Sequence, residues 1–125
     1  MVAWYHGSPL VLTVLAAGST VTQNRELARV FSHKPDAVCW EDDGRLRHTG
    51  AIPGYLYVVD EAVAAEDVVP HPRSTMPTGA EWLTQRPLRL RLLSQTVVRP
   101  EEMPSAADLA ALARNHASGG NDSTA

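Results

Sequence analysis

The sequence has little of several features that mark specialised classes of protein. Its single cysteine, Cys39, excludes an internal disulfide framework and a metal site built on paired cysteines, and is typical of a reducing compartment. No apolar run approaches the length of a membrane span, and the N-terminus lacks the basic-then-apolar order of a signal peptide. The net charge of −3 indicates no strongly basic surface for nucleic acid. These absences predict a cytoplasmic protein that does not bind membranes and for which nucleic acid is a less favoured partner.

The chain is long enough for one hydrophobic core. Its 125 residues are 44% hydrophobic and 20% charged, close to the averages of soluble globular domains. The last residues are rich in Ser, Gly, Asn and Asp, a composition that favours disorder at a chain end. We therefore predict a single domain over residues 1–116 and a disordered tail over residues 117–125.

Several segments have the composition or the alternation of β-strands. Residues 2–6 are aromatic and β-branched and lead into a turn at Gly7-Ser8-Pro9, and residues 55–60 are almost all β-favouring. Residues 88–92 alternate apolar and basic side chains, which predicts a half-buried strand. Its core-facing residues would be Leu88, Leu90 and Leu92. Shorter strands are predicted over residues 29–32 and 81–84.

The helical signals are short. Asn24 can cap a helix over residues 25–29, and Pro35 can open one over residues 35–40. Residues 104–114, with Ser105 as the cap, resemble a third short helix. Residues 10–17 fit either a helix or a strand, residues 41–45 form a polar turn, and residues 68–78 predict a loop. Short strands with few helices predict an α+β protein with a mainly antiparallel sheet.

Four segments, in this order, carry a resemblance to a known family. They are Tyr5-His6-Gly7-Ser8, then Val30-Phe31-Ser32, then Gly54-Tyr55-Leu56-Tyr57, and then Glu81 ahead of Leu88-Arg89-Leu90. The set resembles the ADP-ribosyltransferase superfamily, on the branch whose first strand carries His rather than Arg (the H-Y-E/D-like type). Within it, the chain is most similar to the small bacterial rifamycin-modifying ADP-ribosyltransferases. The resemblance covers roughly residues 2–98 and implies a small split antiparallel sheet, sandwich-like, with a few short helices.

The resemblance implies NAD as co-substrate and a role for each matching residue. His6 and Gly7 would hold the NAD, with the Gly7 backbone on the nicotinamide amide, since only glycine lets a ligand approach the main chain so closely. Ser8 would add a hydroxyl near a ribose or phosphate. The rifamycin-modifying enzymes carry Tyr at the place of Val30, so Phe31 or Tyr55 would have to contact the nicotinamide, and Ser32 would stand beside it. The NAD-binding set is therefore His6, Gly7, Ser8, Phe31, Ser32 and Tyr55.

Glu81 and His6 would be the catalytic residues. A carboxylate stabilises the oxocarbenium-like state formed when the nicotinamide–ribose bond breaks, and it can take a proton from an incoming hydroxyl. The acceptor stays open between a small molecule, a protein, a nucleic acid and water. The resemblance thus implies transfer of ADP-ribose from NAD to an unidentified acceptor.

Other interpretations of the same residues remain open. His6 can be a hydrogen-bonded core imidazole, and Glu81 a solvated residue at a strand start. His33, His48 and His71 do not have the spacing of a metal site, so no metal is expected. Because fold does not guarantee function, the alternative is a non-catalytic module of the same fold that binds a nucleotide or a protein.

Overall fold

The protein is a small, mostly-sheet α+β structure, and every strand pair among its described residues is antiparallel. The computed structural model describes residues 2–41, 43–74 and 76–104. In that part of the chain there is one α-helix, α1, and there are two 3₁₀ helices, at Ala65–Asp67 and Pro100–Glu102. The strands are β1 (Tyr5–Ser8), β2 (Val14–Leu15), β3 (Thr20–Val21), β4 (Val38–Trp40), β5 (Leu46–His48), β6 (Gly54–Val59), β7 (Val68–Pro70), β8 (Trp82–Thr84) and β9 (Leu88–Thr96), and α1 is Arg25–Phe31. The predicted α+β class is confirmed.

The strands form three groups. The largest is a curled four-stranded sheet in the order β1-β6-β9-β2, the second has the order β3-β8-β7, and β4 pairs with β5 as a hairpin. One bridge, between Tyr5 and Thr22, joins the edge of the first group to the second. None of the helices in the described ranges is long and apolar enough to cross a membrane.

Two apolar clusters form the core. The larger lies between the two main groups of strands, and the smaller packs α1 against β5. The buried residues of the larger cluster are Leu15, Val21, Tyr57, Val68 and Leu90, and those of the smaller are Leu27, Val30 and Leu46. The Tyr57 hydroxyl donates to the Leu10 carbonyl at 2.7 Å and accepts from the Leu12 amide at 2.8 Å. The core therefore fixes the loop before β2 as well as the sheet.

The strand predicted over residues 29–32 is wrong, because these residues end α1. Asn24 caps the helix as predicted, its side-chain oxygen accepting from the Leu27 amide at 3.1 Å. The helix then continues to Phe31, beyond the predicted end at residue 29, because Leu27 and Val30 are three residues apart and share its buried face.

Several other local predictions also need correction. Residues 35–40 do not form a helix: Val38–Trp40 is a strand, and the predicted polar turn after it closes the hairpin with Gly44 at φ +87°. Residues 68–70 form β7 rather than a loop, and the open choice over residues 10–17 resolves to the short strand β2. The predicted helix over residues 104–114 and the predicted tail fall almost wholly on residues 105–125, which lie outside the described part of the chain.

The strands predicted over residues 55–60, 81–84 and 88–92 are confirmed, but one side chain predicted to face the core is exposed. Leu88 and Leu90 are buried as predicted, but Leu92 is 50% exposed. The register between β6 and β9 shifts beside it: Tyr57 pairs with Leu92 and the preceding Leu56 pairs with Ser94. Because a bulge interrupts the alternation of a strand, the period-two pattern does not extend past this point.

Candidate functional site

A cleft opens where β1 and β3 separate. Tyr5 exchanges two backbone hydrogen bonds with Thr22, at 2.7 and 3.0 Å, and beyond this bridge the two strands are no longer paired. Helix α1 and the residue before β8 close the other sides of a cavity of about 210 Å³. The cleft is lined by Tyr5, His6, Gly7, Thr20, Val21, Thr22, Ala28, Phe31 and Glu81.

His6 lies in this cleft as a neutral imidazole. Its Nδ1 is 2.7 Å from the Thr20 carbonyl oxygen, which can only accept, so Nδ1 carries the proton and Nε2 is an acceptor. Burial lowers the pKa of His6 below its usual value and outweighs the opposite effect of the Thr20 carbonyl. The residue therefore presents a hydrogen-bond acceptor to the cleft at neutral pH.

Gly7 allows α1 to pack against β1. A Cβ atom on it would lie 1.8 Å from the carbonyl oxygen of Ala28 and 2.7 Å from the amide nitrogen of Ser32. The structure thus gives Gly7 a steric role within the fold, beside the ligand approach that was expected of it.

The backbone of Gly7 also faces the cleft edge of β1. Tyr5 directs both its N–H and its C=O toward β3, and alternate residues of an antiparallel strand direct these groups to the same side. Gly7 follows two residues later, at a point where β3 is no longer paired with β1. Its amide and carbonyl therefore offer a donor and an acceptor side by side.

Glu81 reaches the cleft through the pairing of β3 with β8. Val21 lies opposite Trp82 in that pair, which places Glu81 across from Thr22. The Glu81 carbonyl accepts from the His71 amide at 3.0 Å, fixing the backbone at the start of β8. Glu81 is half-buried and is one of the residues that line the cleft. A glutamate and a histidine from distant parts of the sequence thus line the same cavity.

Phe31 lines the cleft, whereas Val30 does not. Val30 is fully buried between α1 and β5 with Leu27 and Leu46. An aromatic side chain at position 30 would therefore point into the core in this fold. Of the two residues considered for contact with nicotinamide, only Phe31 is in the cleft.

Ser8, Ser32 and Tyr55 are not among the residues lining the cleft. The Ser8 hydroxyl accepts from the Leu10 amide at 3.0 Å and so stabilises the turn after β1. Ser32 is fully buried, and its hydroxyl bonds to the Arg29 carbonyl at 2.5 Å and the Thr96 hydroxyl at 2.6 Å. Tyr55 packs on the larger core cluster, with its ring centroid 6.4 Å from that of Tyr57. The Ser8 and Ser32 hydroxyls and the Tyr55 ring make contacts within the fold, where the resemblance implied contacts with NAD.

Five residues that line the cleft were not predicted as site residues. Tyr5, Thr20, Val21, Thr22 and Ala28 belong to β1, β3 and α1. The β-branched run at residues 20–22, just before the Asn24 cap, is the signal that would have indicated β3. Thr20 matters most, because its carbonyl fixes the tautomer of His6.

Two of the three histidines considered as a metal set do come together. The rings of His33 and His48 stack with centroids 5.5 Å apart. The Gly50 amide donates to His48 Nδ1 at 3.1 Å, so His48 Nε2 carries the proton toward Glu102, whose oxygen is 3.4 Å away. Within the described residues, no three His, Cys, Asp or Glu side chains are grouped as a metal site.

Comparison with known proteins adds no relative. No family model matches the chain, and neither a curated protein nor a solved structure matches it. The geometry of the cleft is therefore the basis for assigning a function.

Proposed function

We propose that the cleft binds the nicotinamide end of NAD and that the protein is an ADP-ribosyltransferase, with the sheet split at this cleft. The observation that carries the proposal is that His6, Gly7, Phe31 and Glu81 line one cavity although they come from three distant segments of the chain. Each supplies a chemical group that the reaction needs.

The groups complement nicotinamide riboside. The carboxamide of nicotinamide has an acceptor oxygen and a donor N–H₂ group, which match the N–H and C=O of Gly7. Phe31 packs on the smaller core cluster and also lines this cavity, where its ring would offer an apolar face to the pyridine ring. The His6 Nε2 can accept from a ribose hydroxyl, because its Nδ1 proton is held by the Thr20 carbonyl.

The volume of the cleft sets how much of NAD it can hold. At about 210 Å³ it is smaller than the roughly 300–1,000 Å³ typical of pockets that enclose a whole ligand. It therefore takes the nicotinamide and its ribose, and the adenosine half would extend outside.

Glu81 would serve the chemical step. The bond between ribose C1′ and the nicotinamide nitrogen breaks with its electron pair leaving on nicotinamide, which becomes neutral. Positive charge develops on the ribose, and a carboxylate fixed beside it lowers the barrier. An acceptor hydroxyl then forms the new C1′–O bond, and its proton passes to the Glu81 carboxylate and on to solvent.

Thermal unfolding with and without excess NAD tests the binding half of the proposal. A ligand that binds only the native state raises the midpoint of unfolding. We expect a rise for the wild type and none for His6→Ala. His71→Ala is the matched control, because His71 is also half-buried but is not among the residues lining the cleft, and it should keep the rise. No rise in the wild type would contradict the proposal.

Nicotinamide release from NAD tests the catalytic half. Glu81→Gln should keep the NAD-dependent rise in midpoint but lose on the order of 100-fold or more in rate, as when one stabilising group is removed from an active site. If NAD raised the unfolding midpoint equally in the wild type and in Glu81→Gln, and neither released nicotinamide, the protein would instead be a non-catalytic nucleotide-binding module.

A further inference from the structure

The outer edge of β9, which faces away from β6, is paired over only part of its length. Strand β2 pairs with the first two residues of β9, and the Leu90 amide donates to the Thr13 carbonyl at 2.8 Å. Among the described residues no other strand pairs with this edge, although β9 continues to Thr96. The edge over residues 91–96 is here called the open edge.

The backbone of Gln95 points to the open edge. The Val59 amide donates to the Trp4 carbonyl at 2.9 Å, so Val59 directs its backbone groups toward the β1 side of β6. Alternate residues of an antiparallel strand point to the same side, so Tyr55 does the same. Gln95 lies opposite Tyr55, and opposite residues either exchange both hydrogen bonds or direct their groups away from each other. The N–H and C=O of Gln95 therefore point away from β6.

The side chains along the open edge are exposed and uncharged. Leu92 is 50% exposed, Val97 is 70% exposed, and Ser94 and Gln95 are exposed too. Residues 92–98 read Leu-Leu-Ser-Gln-Thr-Val-Val, with no charged residue, proline or glycine. Native sheets protect their edges with charged side chains, proline or bulges. Apart from the bulge beside Leu92, this run has none of these protections, and its composition favours pairing with another strand.

We propose that the open edge is a dimer interface, on which β9 of a second copy pairs antiparallel about a two-fold axis. Two-fold pairing matches the uncharged run with itself, so no like charges are brought opposite each other within it. A charged partner strand would find no opposite charge in the run to pair with. The second copy also brings the same unpaired Gln95 groups, which supply the hydrogen bonds that the first copy needs.

Pairing at the open edge leaves the cleft accessible. Strand β6 lies between β9 and β1, and the cleft lies beyond β1. Dimerisation is therefore independent of the proposed function of the cleft. A contact confined to one strand belongs to the small interfaces that bury less than roughly 1,200 Å². The dimer should accordingly dissociate on dilution.

Sedimentation equilibrium of the full chain between about 10 µM and 1 mM tests the proposal. We expect the mass to rise from that of one chain to that of two chains and no further. Gln95→Pro removes an N–H that points away from β6, a position at which a strand accepts proline. It should weaken dimerisation by about tenfold or more, because each copy loses one donor. Gln95→Ala is the matched control, since it keeps the N–H, and it should dimerise as the wild type does.

Leu92→Lys is a second variant that leaves the backbone unchanged. It places on an exposed side chain the charge by which edge strands avoid pairing, and it should weaken dimerisation as well. Thermal unfolding shows whether each variant is folded, and the NAD-dependent rise in Tm should be equal in wild type and Leu92→Lys.

Three outcomes would each overturn the dimer without bearing on the cleft. They are a wild type that stays a single chain throughout, growth beyond two chains, and equal dimerisation of folded Gln95→Pro and Gln95→Ala. If Gln95→Pro does not fold, Leu92→Lys decides, and dimerisation equal to that of the wild type would overturn the proposal. Loss of the NAD-dependent rise in the wild type would instead overturn the function of the cleft.

Discussion

Replacing Gly7 by alanine is expected to destabilise the protein by about 3 kcal/mol, the upper end of the usual range for overpacking. The new Cβ would lie 1.8 Å from the Ala28 carbonyl oxygen, 2.9 Å from its carbon and 2.7 Å from the Ser32 amide nitrogen. All three are backbone atoms, and the Ser32 amide donates to the Ala28 carbonyl at 3.1 Å, so neither group can rotate away. Either α1 or β1 must move by more than 1 Å.

Urea and thermal unfolding, followed by circular dichroism, would measure this loss. For a domain of this size, 3 kcal/mol corresponds to a fall in Tm of roughly 10–20 °C. Gly18→Ala is the matched control: Gly18 has φ +82° and no atom within 4 Å of its Cβ position, so only backbone strain of about 1–2 kcal/mol applies. If Gly7→Ala lost no more stability than Gly18→Ala, the close packing of α1 on β1 would be refuted.

Three further predictions concern the buried residues at the end of α1, which are Arg29, Ser32 and His33. Ser32→Ala should lower stability by about 1–2 kcal/mol through its lost buried hydrogen bonds, yet leave the NAD-dependent rise in Tm intact; a lost rise would place Ser32 in the binding site. Glu102→Gln should lower the free energy of unfolding by about 3 kcal/mol, because it leaves the buried Arg29 without its bidentate partner. Glu26→Gln, which changes the exposed partner of Arg29, should lower the free energy of unfolding by less than about 1 kcal/mol. If urea unfolding gave equal losses for the two variants, Glu102 would not be the main partner of Arg29. Burial lowers the pKa of His33, so below about pH 6.5 the unfolded chain binds a proton at this residue that the folded chain does not bind. The free energy of unfolding should therefore decrease as the pH is lowered, by up to about 1.4 kcal/mol per pH unit for each such proton. His33→Asn keeps a donor for the Ile52 carbonyl and should flatten Tm against pH between 6.5 and 5; an unchanged slope would show that His33 does not titrate in this way.

The fold could be predicted from the sequence where a pattern is long or carries its own cap. Residues 55–60, the start of β9 and the Asn24 cap were all indicated in this way. By contrast, β3, β4 and β7 have two or three residues each, too few to show a period. The segment Val30-Phe31-Ser32 has β-favouring residues but ends a helix, because burial of one face of α1 outweighs local propensity.

Part of the candidate site could be predicted from the sequence. His6, Gly7, Phe31 and Glu81 line one cleft as the resemblance implied they would lie together. Ser8 of β1 is paired with Tyr55 of β6. The Ser8 side chain stabilises the turn after β1, and the Tyr55 side chain packs on the larger core cluster. Which residues share a side of β1 is set by its pairing with β6 and by its bridge to Thr22, and neither contact can be read from the segments alone.

The cleft lies between β3, which the bridge from Tyr5 holds beside one edge of β1, and α1, which packs against Gly7 on one face of β1. The Gly7 backbone groups face the cleft because Gly7 follows Tyr5 by two residues in β1, and α1 approaches closely because Gly7 has no side chain. A substitution at residue 7 must therefore change packing and binding together. His6 and Glu81 have no such double role, since the one is held by a single carbonyl and the other by its backbone. Changes at these two positions can therefore separate loss of the proposed NAD chemistry from loss of the fold.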